Sequence, residues 1–229
     1  MSYIFLEMTM TLDGFTAGPG VSLEHPLGVG GERVHAWLSG RLQPDGWLFD
    51  GPSVDAFELG PPIPGSGTEG AADAAPDEID RSAAARMFET TGAFVLGRRT
   101  FDVGGGPWGD DEAFEGRPCF VVTSRPREPI ERGGSRFEFV TGGVVEAITR
   151  ASVAASAASV CILGGAEVAR QALASGLVDE VRLHLVSVLL GGGNRLFPDS
   201  APQPIELEPL AVEQGALATH LRYRVLRDR

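Results

Sequence analysis

The sequence predicts an α/β protein with a mostly parallel central sheet flanked by helices and a C-terminal antiparallel hairpin. Short apolar runs alternate with helical segments along most of the chain, which is typical of parallel strands joined by helices. The chain then ends in two alternating runs, 205–211 and 216–225, around a Gln214-Gly215 turn, which favours a hairpin. With 229 residues, 43% of them apolar, the chain can form one full core.

The first strand is predicted over residues 3–10, an apolar and threonine-rich run that Asp13-Gly14 ends with a turn. Glycine and proline then recur from about 19 to 76. A plain loop of this length is unusual in a compact domain, so we interpret it as an insertion into a single domain spanning 1–229. The insertion is expected to carry a short helix near 32–38 and a flexible tip around 61–75.

The other elements alternate between helices and strands in chain order. The predicted elements are helix 77–91, strands 93–96, 118–123 and 137–141, helix 143–156, strand 159–163, helix 166–174 and a long strand 178–190.

Composition excludes several classes of protein. The formal net charge of -12 and the pI near 4.8 argue against binding nucleic acid or an anionic membrane through bulk charge. Cys119 and Cys161 lie in apolar runs and are expected to be buried thiols, and no signal peptide precedes the first strand, so a cytoplasmic protein is expected. The four histidines lack metal-ligand spacing and are expected to be surface or structural residues, so no metal is predicted.

One candidate binding segment is Gly164-Gly165, between an apolar run and the helix that opens at Ala166. A strand that ends in two glycines and enters a helix directly presents backbone N–H groups and a positive helix end to an anion. Such a site suits a dinucleotide phosphate, although a simple tight turn has the same pattern.

Two further segments follow strands. In Gly97-Arg98-Arg99-Thr100, glycine permits close backbone approach, arginine can bind phosphate, and Thr100 can cap the next helix. In Thr123-Ser124-Arg125, two hydroxyls and a guanidinium follow another apolar strand. The carboxyl ends of parallel strands line one crevice, so the three segments are expected to meet there.

These segments resemble the dihydrofolate reductase superfamily, within it the group related to the reductase domain of riboflavin-biosynthesis deaminase-reductases. The resemblance rests on five motifs in register, which cover almost the whole chain outside the insertion. They are Met10-Thr11-Leu12-Asp13-Gly14, Val95 to Phe101, Val122-Thr123-Ser124, Ile162-Leu163-Gly164-Gly165 and Leu196-Phe197-Pro198-Asp199.

The resemblance implies NADPH as the hydride donor and a small pterin or pyrimidine-type heterocycle as the substrate. By matched position, Gly97, Arg98 and Thr100, with Arg99 in the same segment, would lie along the 2′-phosphate and pyrophosphate. Thr123, Ser124 and Arg125 would lie near the 2′-phosphate and adenine. Gly164, Gly165, Ala166 and Glu167 would surround the pyrophosphate, and Leu163 and Ala17 would lie nearer the nicotinamide.

Two carboxylates are candidates for assisting proton transfer. Dihydrofolate reductases carry one on the helix after the first strand, and Asp80 is the better match there by its distance from Gly97. Asp13, at the end of the first strand, is the other candidate. A favourable helix-dipole partner and an ordinary Asp-Gly turn are the structural alternatives for these two residues.

The resemblance also leaves alternatives open. The His-x-Glu and Pro-Cys-x-x-Cys motifs of a zinc deaminase are absent from the sequence, so the chain resembles a free-standing reductase. A non-catalytic NADPH-binding sensor is the main alternative, and a flavin enzyme is disfavoured because the arginine cluster suits a 2′-phosphate better. Trp37, Trp47 or Trp108 could stack on a planar substrate. A homodimer through strand 178–190 and the hairpin is expected from the resemblance.

Overall fold

The structure is a computed structural model that describes residues 2–38, 75–104, 114–197 and 204–227. Its strands are β1 Ile4–Thr11, β2 Phe15–Ala17, β3 Thr91–Gly97, β4 Cys119–Val122, β5 Ile130–Arg132, β6 Ser135–Val140, β7 Ser159–Ile162, β8 Glu180–Val186, β9 Asn194–Arg195, β10 Leu207–Gln214 and β11 Ala218–Val225. Its α-helices are α1 Glu78–Glu89, α2 Arg98–Gly104, α3 Gly143–Ala155 and α4 Ala166–Ala174, and a 3-10 helix spans Gly31–Leu38.

The main sheet confirms the predicted architecture. Its nine strands have the order β10-β11-β8-β1-β7-β3-β4-β6-β5. The six from β8 to β6 are parallel to their neighbours, while the β10–β11 hairpin pairs antiparallel with β8 at one edge and β5 pairs antiparallel with β6 at the other. The carboxyl ends of the parallel strands therefore share one edge, where ligands of open α/β sheets bind.

The sheet is covered on both faces. Helices α3 and α4 pack against one face through a core that includes Leu6, Val95 and Ile162. A second core on the opposite face contains Phe5, Phe94 and other aromatic residues. Continuous apolar runs in the central strands follow from this double burial, since both faces of a parallel sheet must be covered.

The sheet differs from the prediction at the end of one strand and in one strand that was not predicted. The long strand expected over 178–190 ends at Val186, because the backbone N–H groups of Leu190 and Gly191 turn to donate to the Asp13 carboxylate, at 3.2 and 2.7 Å. Strand β5 was not predicted. It forms a hairpin with β6 across Gly133-Gly134, both at positive φ, which is the backbone that tight hairpins require.

The start of the predicted insertion packs onto the body. Its short helix is the 3-10 helix Gly31–Leu38, close to the predicted range. Trp37 of that helix is buried and packs with Ala83, Ala84 and Val186. Most of the predicted flexible tip, together with Trp47 and Trp108, lies outside the described residues.

The structure also bears on the predicted thiols, on the predicted dimer and on membrane-spanning helices. Cys119 and Cys161 are both buried free thiols, as predicted. Strand β10 forms an edge of the sheet with Leu210 and Val212 exposed, and pairing of two copies there stays a prediction. Among the described helices, none is both long and apolar enough to cross a membrane.

Candidate functional site

A cavity of about 1150 Å³ lies at the carboxyl edge of the sheet. Residues that follow β3, β4 and β7 line it, as do β1, β2 and the 3-10 helix. The structure brings all of the predicted cofactor residues to this cavity. They are Ala17, Gly97, Arg98, Arg99, Thr100, Thr123, Ser124, Arg125, Leu163, Gly164, Gly165, Ala166 and Glu167.

The Gly164-Gly165 turn joins β7 to α4 beside the end of β3. The Gly97 N–H donates to the Gly164 carbonyl at 2.9 Å, which fixes the two strand ends together. Gly164 has φ of 108°, and its peptide bond to Gly165 is cis. A Cβ at Gly165 would lie 3.1 Å from Thr100 Oγ1, which is a tight contact, so the glycine keeps this backbone uncovered at the cavity.

Helix α4 begins directly at this turn. Its N-cap, Gly165, has no side chain to bond the first turn, so the leading N–H groups of the helix have no intrahelical partner. A buried side of the same helix, including Val168 and Ala169, holds it against the sheet. The turn therefore presents backbone donors and a positive helix end to the cavity.

The segment after β3 differs from the prediction in one respect. Helix α2 begins at Arg98, so Thr100 lies within the first turn and does not cap the helix. Arg98 pairs with Asp102 at 2.7 Å, one helical turn later. The side chain of the neighbouring Arg99 is exposed at the cavity and forms no ion pair with any residue that the structure describes.

The segment after β4 forms a small turn. Thr123 Oγ1 accepts a hydrogen bond from the Arg125 backbone N–H at 3.1 Å, which orders the backbone and leaves the guanidinium exposed. Within the described part of the chain, Arg125 has no ion-pair partner. Arg99 and Arg125 are thus two cations available to an anion in a protein whose overall charge is -12.

The cavity lining as a whole is less acidic than the protein. Five arginines and four carboxylates contribute to it, namely Arg98, Arg99, Arg125, Arg170 and Arg195, and Glu7, Asp102, Glu115 and Glu167. Several of these charges pair with each other, as Arg170 does with Glu167. Local arrangement of charge, rather than the net charge of the chain, favours an anionic ligand here.

Neither predicted proton-transfer residue lines this cavity. Asp13 accepts hydrogen bonds from the Thr11 hydroxyl at 2.5 Å and from the backbone of Leu190 and Gly191. The Thr11 bond lowers the pKa of Asp13, with smaller contributions from the two backbone donors. In this position Asp13 fixes the segment after β8.

Asp80 is fully buried and belongs to the capping box of α1. Its backbone N–H donates to Asp77 at 2.9 Å, and its Oδ2 accepts from the backbone N–H groups of Asp77 and Leu217 at 3.2 and 3.1 Å. Its Oδ1 lies 3.0 Å from His220 Nε2. Through this bond Asp80 is connected to His220, which lies one hydrogen bond from the cavity residue His184.

Sequence reasoning missed two buried polar residues that do line the cavity, Glu7 of β1 and His184 of β8. Glu7 Oε1 lies 3.0 Å from His184 Nε2, and His184 Nδ1 lies 2.8 Å from His220 Nδ1. His184 and His220 are 5% and 2% exposed, so the expectation of surface histidines was wrong for both, whereas a structural role remains compatible. The signal available was a carboxylate inside a buried strand, which requires a partner.

Trp37 covers this polar group. Its ring centroid lies 4.1 Å from that of His184, and its Nε1 donates to Thr9 Oγ1 at 3.1 Å. His35, from the same 3-10 helix, is half-buried at the cavity. Burial, with a smaller effect of the neighbouring His184, lowers the pKa of His35 to about 4.

Metal ligation was not predicted for this site. Across the described residues, no cluster of three or more His, Cys, Asp or Glu side chains has the arrangement of a metal site. The Glu7 and His184 group is instead held by hydrogen bonds and by Arg182, whose guanidinium lies 3.5 Å from Glu7.

Solved structures with the same fold support the predicted dihydrofolate-reductase-like architecture. A Shewanella sp. PV-4 protein named for riboflavin biosynthesis shares 18% identity and a TM-score of 0.58, over 99% of this chain and 100% of that one. A pyrimidine reductase-like protein from Corynebacterium diphtheriae shares 13% identity and a TM-score of 0.55, over 99% and 93%.

A third similar structure is a two-activity protein of Thermotoga maritima, a diaminohydroxyphosphoribosylaminopyrimidine deaminase and 5-amino-6-(5-phosphoribosylamino)uracil reductase. It shares 13% identity and a TM-score of 0.53, and the alignment covers 98% of this chain but 57% of that one. No curated protein matches the chain. The RibD C-terminal domain matches residues 2–221, and the chain therefore belongs to the RibD C-terminal domain family.

Proposed function

We propose that this protein is an NADPH-dependent reductase that transfers hydride to a small heterocycle of the pterin or pyrimidine type. The observation that carries the proposal is the convergence of three strand ends, after β3, β4 and β7, on one cavity that also contains buried acid–base groups. Family membership supports an oxidoreductase of the riboflavin type. The name of the Thermotoga maritima relative makes 5-amino-6-(5-phosphoribosylamino)uracil the first substrate to test.

The residues present fit a dinucleotide with a 2′-phosphate. Gly97 and Gly165 leave backbone that a Cβ would obstruct, and the open N-terminus of α4 offers N–H donors to a pyrophosphate. Arg99 and Arg125 supply exposed guanidinium groups on the β3 and β4 side of the cavity. A guanidinium binds a phosphate through parallel hydrogen bonds, which supports NADPH over NADH.

The remaining walls of the cavity suit a small planar substrate. Trp37 and Met8 offer apolar contact, while Glu7, Thr9 and His184 are the polar groups at the same place. NADPH, when bound, supplies a hydride to an electron-poor C=N bond or to an opened sugar carbonyl. The chain's contribution is to align the two ligands, exclude water and provide a proton.

A non-catalytic NADPH sensor is the alternative, because neither Asp13 nor Asp80 reaches the cavity. The reductase is favoured because Glu7 and His184 do reach it. A sensor needs only the three segments that bind the cofactor. Replacement of Glu7 in a sensor would therefore change no rate of NADPH oxidation.

Fluorescence titration with NADPH and NADH tests the cofactor assignment. We expect clear preference for NADPH, and Arg125→Ala should weaken NADPH binding by roughly 10-fold to 100-fold while leaving NADH binding unchanged, since a hydrogen bond to a charged group contributes about 1.5–3 kcal/mol. Arg150→Ala is the matched control, because Arg150 lies on α3 away from the cavity and pairs with Glu146. Equal affinity for both nucleotides would contradict the proposal.

A further inference from the structure

Four buried titratable side chains form one continuous row that begins at the cavity. Glu7, His184, His220 and Asp80 come from β1, β8, β11 and α1, and they are 5%, 5%, 2% and 0% exposed. The successive distances are 3.0 Å from Glu7 to His184, 2.8 Å between the two histidines and 3.0 Å from His220 to Asp80. Only Glu7 and His184 line the cavity, so the row runs from the cavity into the protein.

The geometry of this row requires a definite number of protons. Each hydrogen bond contains one proton, so the three bonds of the row need three. Two neutral histidines carry only two. If those two protons point outward to the carboxylates, the Nδ1 atoms face each other as two lone pairs at 2.8 Å. The row is therefore complete only when it holds one additional proton.

Contacts around the row indicate where the additional proton lies. The carboxylate of Glu7 pairs with Arg182, and both oxygens of Asp80 accept hydrogen bonds, so each carboxylate acts as an acceptor. Burial lowers the pKa of His220, and the nearby His184 lowers it further. His184 is the ring that lies between two acceptors, the Glu7 carboxylate and His220 Nδ1, and this is the position in which the hydrogen bonds accommodate the additional proton.

The aromatic cover supports a charged His184. Trp37 lies with its ring centroid 4.1 Å from that of His184 and tilted by 32°. A cation within about 6 Å of a tryptophan ring is attracted by the ring face. A second cavity, of about 10 Å³, touches Glu7, His184 and His220. It provides roughly the space of one water molecule beside three members of the row.

Other charges that face the row are mostly paired with each other. Arg182 and Arg222 both bind Glu180, and Arg86 of α1 binds Glu213 of β10 near His220. The remaining titratable neighbours are His35 of the 3-10 helix, whose pKa is lowered to about 4, and the Cys161 thiol of β7, whose pKa is raised by burial and by the nearby Glu7. No neighbouring group among the described residues therefore replaces the proton of the row.

We propose that the Glu7–His184–His220–Asp80 row is a proton relay that stores one proton and delivers it through His184 and Glu7 to the substrate. This inference deepens the proposed function and rests on it. Asp80 and His220 are positioning residues, because they fix the His184 Nδ1 proton as a donor and leave the Nε2 proton as the mobile one.

The reaction balances with this single proton. NADPH, held by the segments after β3, β4 and β7, would supply a hydride with its electron pair to the carbon of a C=N bond, so that NADPH would be oxidised to NADP⁺ and the substrate reduced. The C=N π bond breaks, and its electron pair takes the proton that passes from His184 Nε2 to Glu7 and then to the substrate nitrogen. His184 is left as a neutral ring that keeps its Nδ1 proton and still donates it to His220 Nδ1. A proton from water then restores the Nε2 proton of His184.

Nitrogen-15 NMR of the histidine side chains tests the stored proton without any ligand. We expect one doubly protonated ring, His184, and a neutral His220 with its proton on Nε2, both at neutral pH. The chain has four histidines, and His25→Gln, at an exposed site, is the control for assignment. Two neutral rings at His184 and His220 would overturn the relay.

Two substitutions of His220 test whether the row delivers its proton to the substrate. His220→Phe removes the acceptor of the His184 proton, so kcat with NADPH and 5-amino-6-(5-phosphoribosylamino)uracil should fall at least about 10-fold, with NADPH affinity unchanged. His220→Gln restores an acceptor oxygen and should recover most of kcat. In the wild type, kcat should fall as the pH rises and the relay loses its proton.

The outcomes separate the relay from the proposed function. Equal kcat in the wild type and His220→Phe would overturn delivery while leaving the reductase intact. Absence of turnover in the wild type would contradict the reductase and the delivery step together, and the NMR result would still decide whether a proton is stored. If His220→Phe does not fold, the wild-type NMR spectrum and pH profile decide.

Discussion

The two sides of the cavity differ in whether their polar groups are exposed to a ligand or buried and bonded within the protein. The segments after β3, β4 and β7 present exposed arginines and uncovered backbone, so their binding groups are available to a ligand. The side formed by Glu7 and His184 is buried, and every polar group there already has a partner within the protein. The first arrangement suits capture of an anion, while the second suits control of a proton, because a buried group changes charge only when its partners permit it.

The largest difference between the two sides should be in stability. Asp80→Ala removes the acceptor of the buried His220 and of the backbone N–H groups of Leu217 and Asp77, which are half-buried. We expect a loss of about 3–5 kcal/mol in the free energy of unfolding, measured with urea. Asp102→Ala, which removes a half-exposed partner of Arg98 on the cofactor side, should cost less than about 1 kcal/mol. Similar losses of unfolding free energy in Asp80→Ala and Asp102→Ala would show that the hydrogen bonds of the buried row contribute no more to stability than an exposed ion pair.

The next effect should appear in binding alone. Gly165→Val places side-chain atoms where a Cβ already lies 3.1 Å from Thr100 Oγ1, at the start of α4. NADPH affinity should fall by roughly 10-fold or more in a fluorescence titration, comparable to loss of a charged hydrogen bond.

Gly192→Val is the matched control for that substitution, because a Cβ at Gly192 has no atom within 4 Å among the described residues and does not line the cavity. Both variants should keep the secondary structure of the parent by circular dichroism. An unchanged NADPH affinity in Gly165→Val would remove α4 from the cofactor site.

A smaller effect should depend on pH. The pKa of His35 is lowered to about 4 from its ordinary value of 6.5, so between these values the unfolded chain binds more protons than the folded protein, and stability falls as the pH falls. Because the ring is half-buried at an open cavity, we expect no more than about 2 kcal/mol from this residue.

The difference between wild type and His35→Gln, measured by urea unfolding at several pH values, isolates this contribution. Carboxylates with a lowered pKa, such as Glu180, whose bonds to Arg222 and Arg182 outweigh the effect of burial, lose their contribution to stability as the pH falls toward 4.5 and below. This loss is the same in the two proteins and cancels in the difference. Parallel curves of unfolding free energy against pH for the two proteins would show that His35 binds a proton in the folded protein as readily as in the unfolded chain.

The smallest effect concerns the cover of the buried side. Trp37→Phe keeps an aromatic ring over His184 but removes the N–H that donates to Thr9 Oγ1 at 3.1 Å. We expect the lost hydrogen bond to account for about 1 kcal/mol of unfolding free energy, as the coupling between Trp37 and Thr9. A double-mutant cycle with Thr9→Val measures the coupling, and additive losses would contradict the bond.

The same contrast explains what the sequence could reveal. The residues of Gly164-Gly165 are adjacent in sequence, and so are those of Thr123-Ser124-Arg125. Each segment comes at the end of a strand, so local sequence patterns place both at the same edge of the sheet. Glu7, His184 and His220 come together only through strand register, where His184 pairs with Thr9 on β1 and with His220 on β11. No local pattern contains that register, and Asp80 was therefore predicted without its connection through His220.

Turnover tests the central claim most directly. NADPH absorbance is followed in the presence of the purified protein and 5-amino-6-(5-phosphoribosylamino)uracil, with dihydrofolate as the second substrate. The account predicts loss of NADPH that depends on the substrate, with one NADPH consumed for each substrate reduced. Tight NADPH binding with no oxidation in the presence of either substrate would contradict a reductase of this substrate class and favour the sensor.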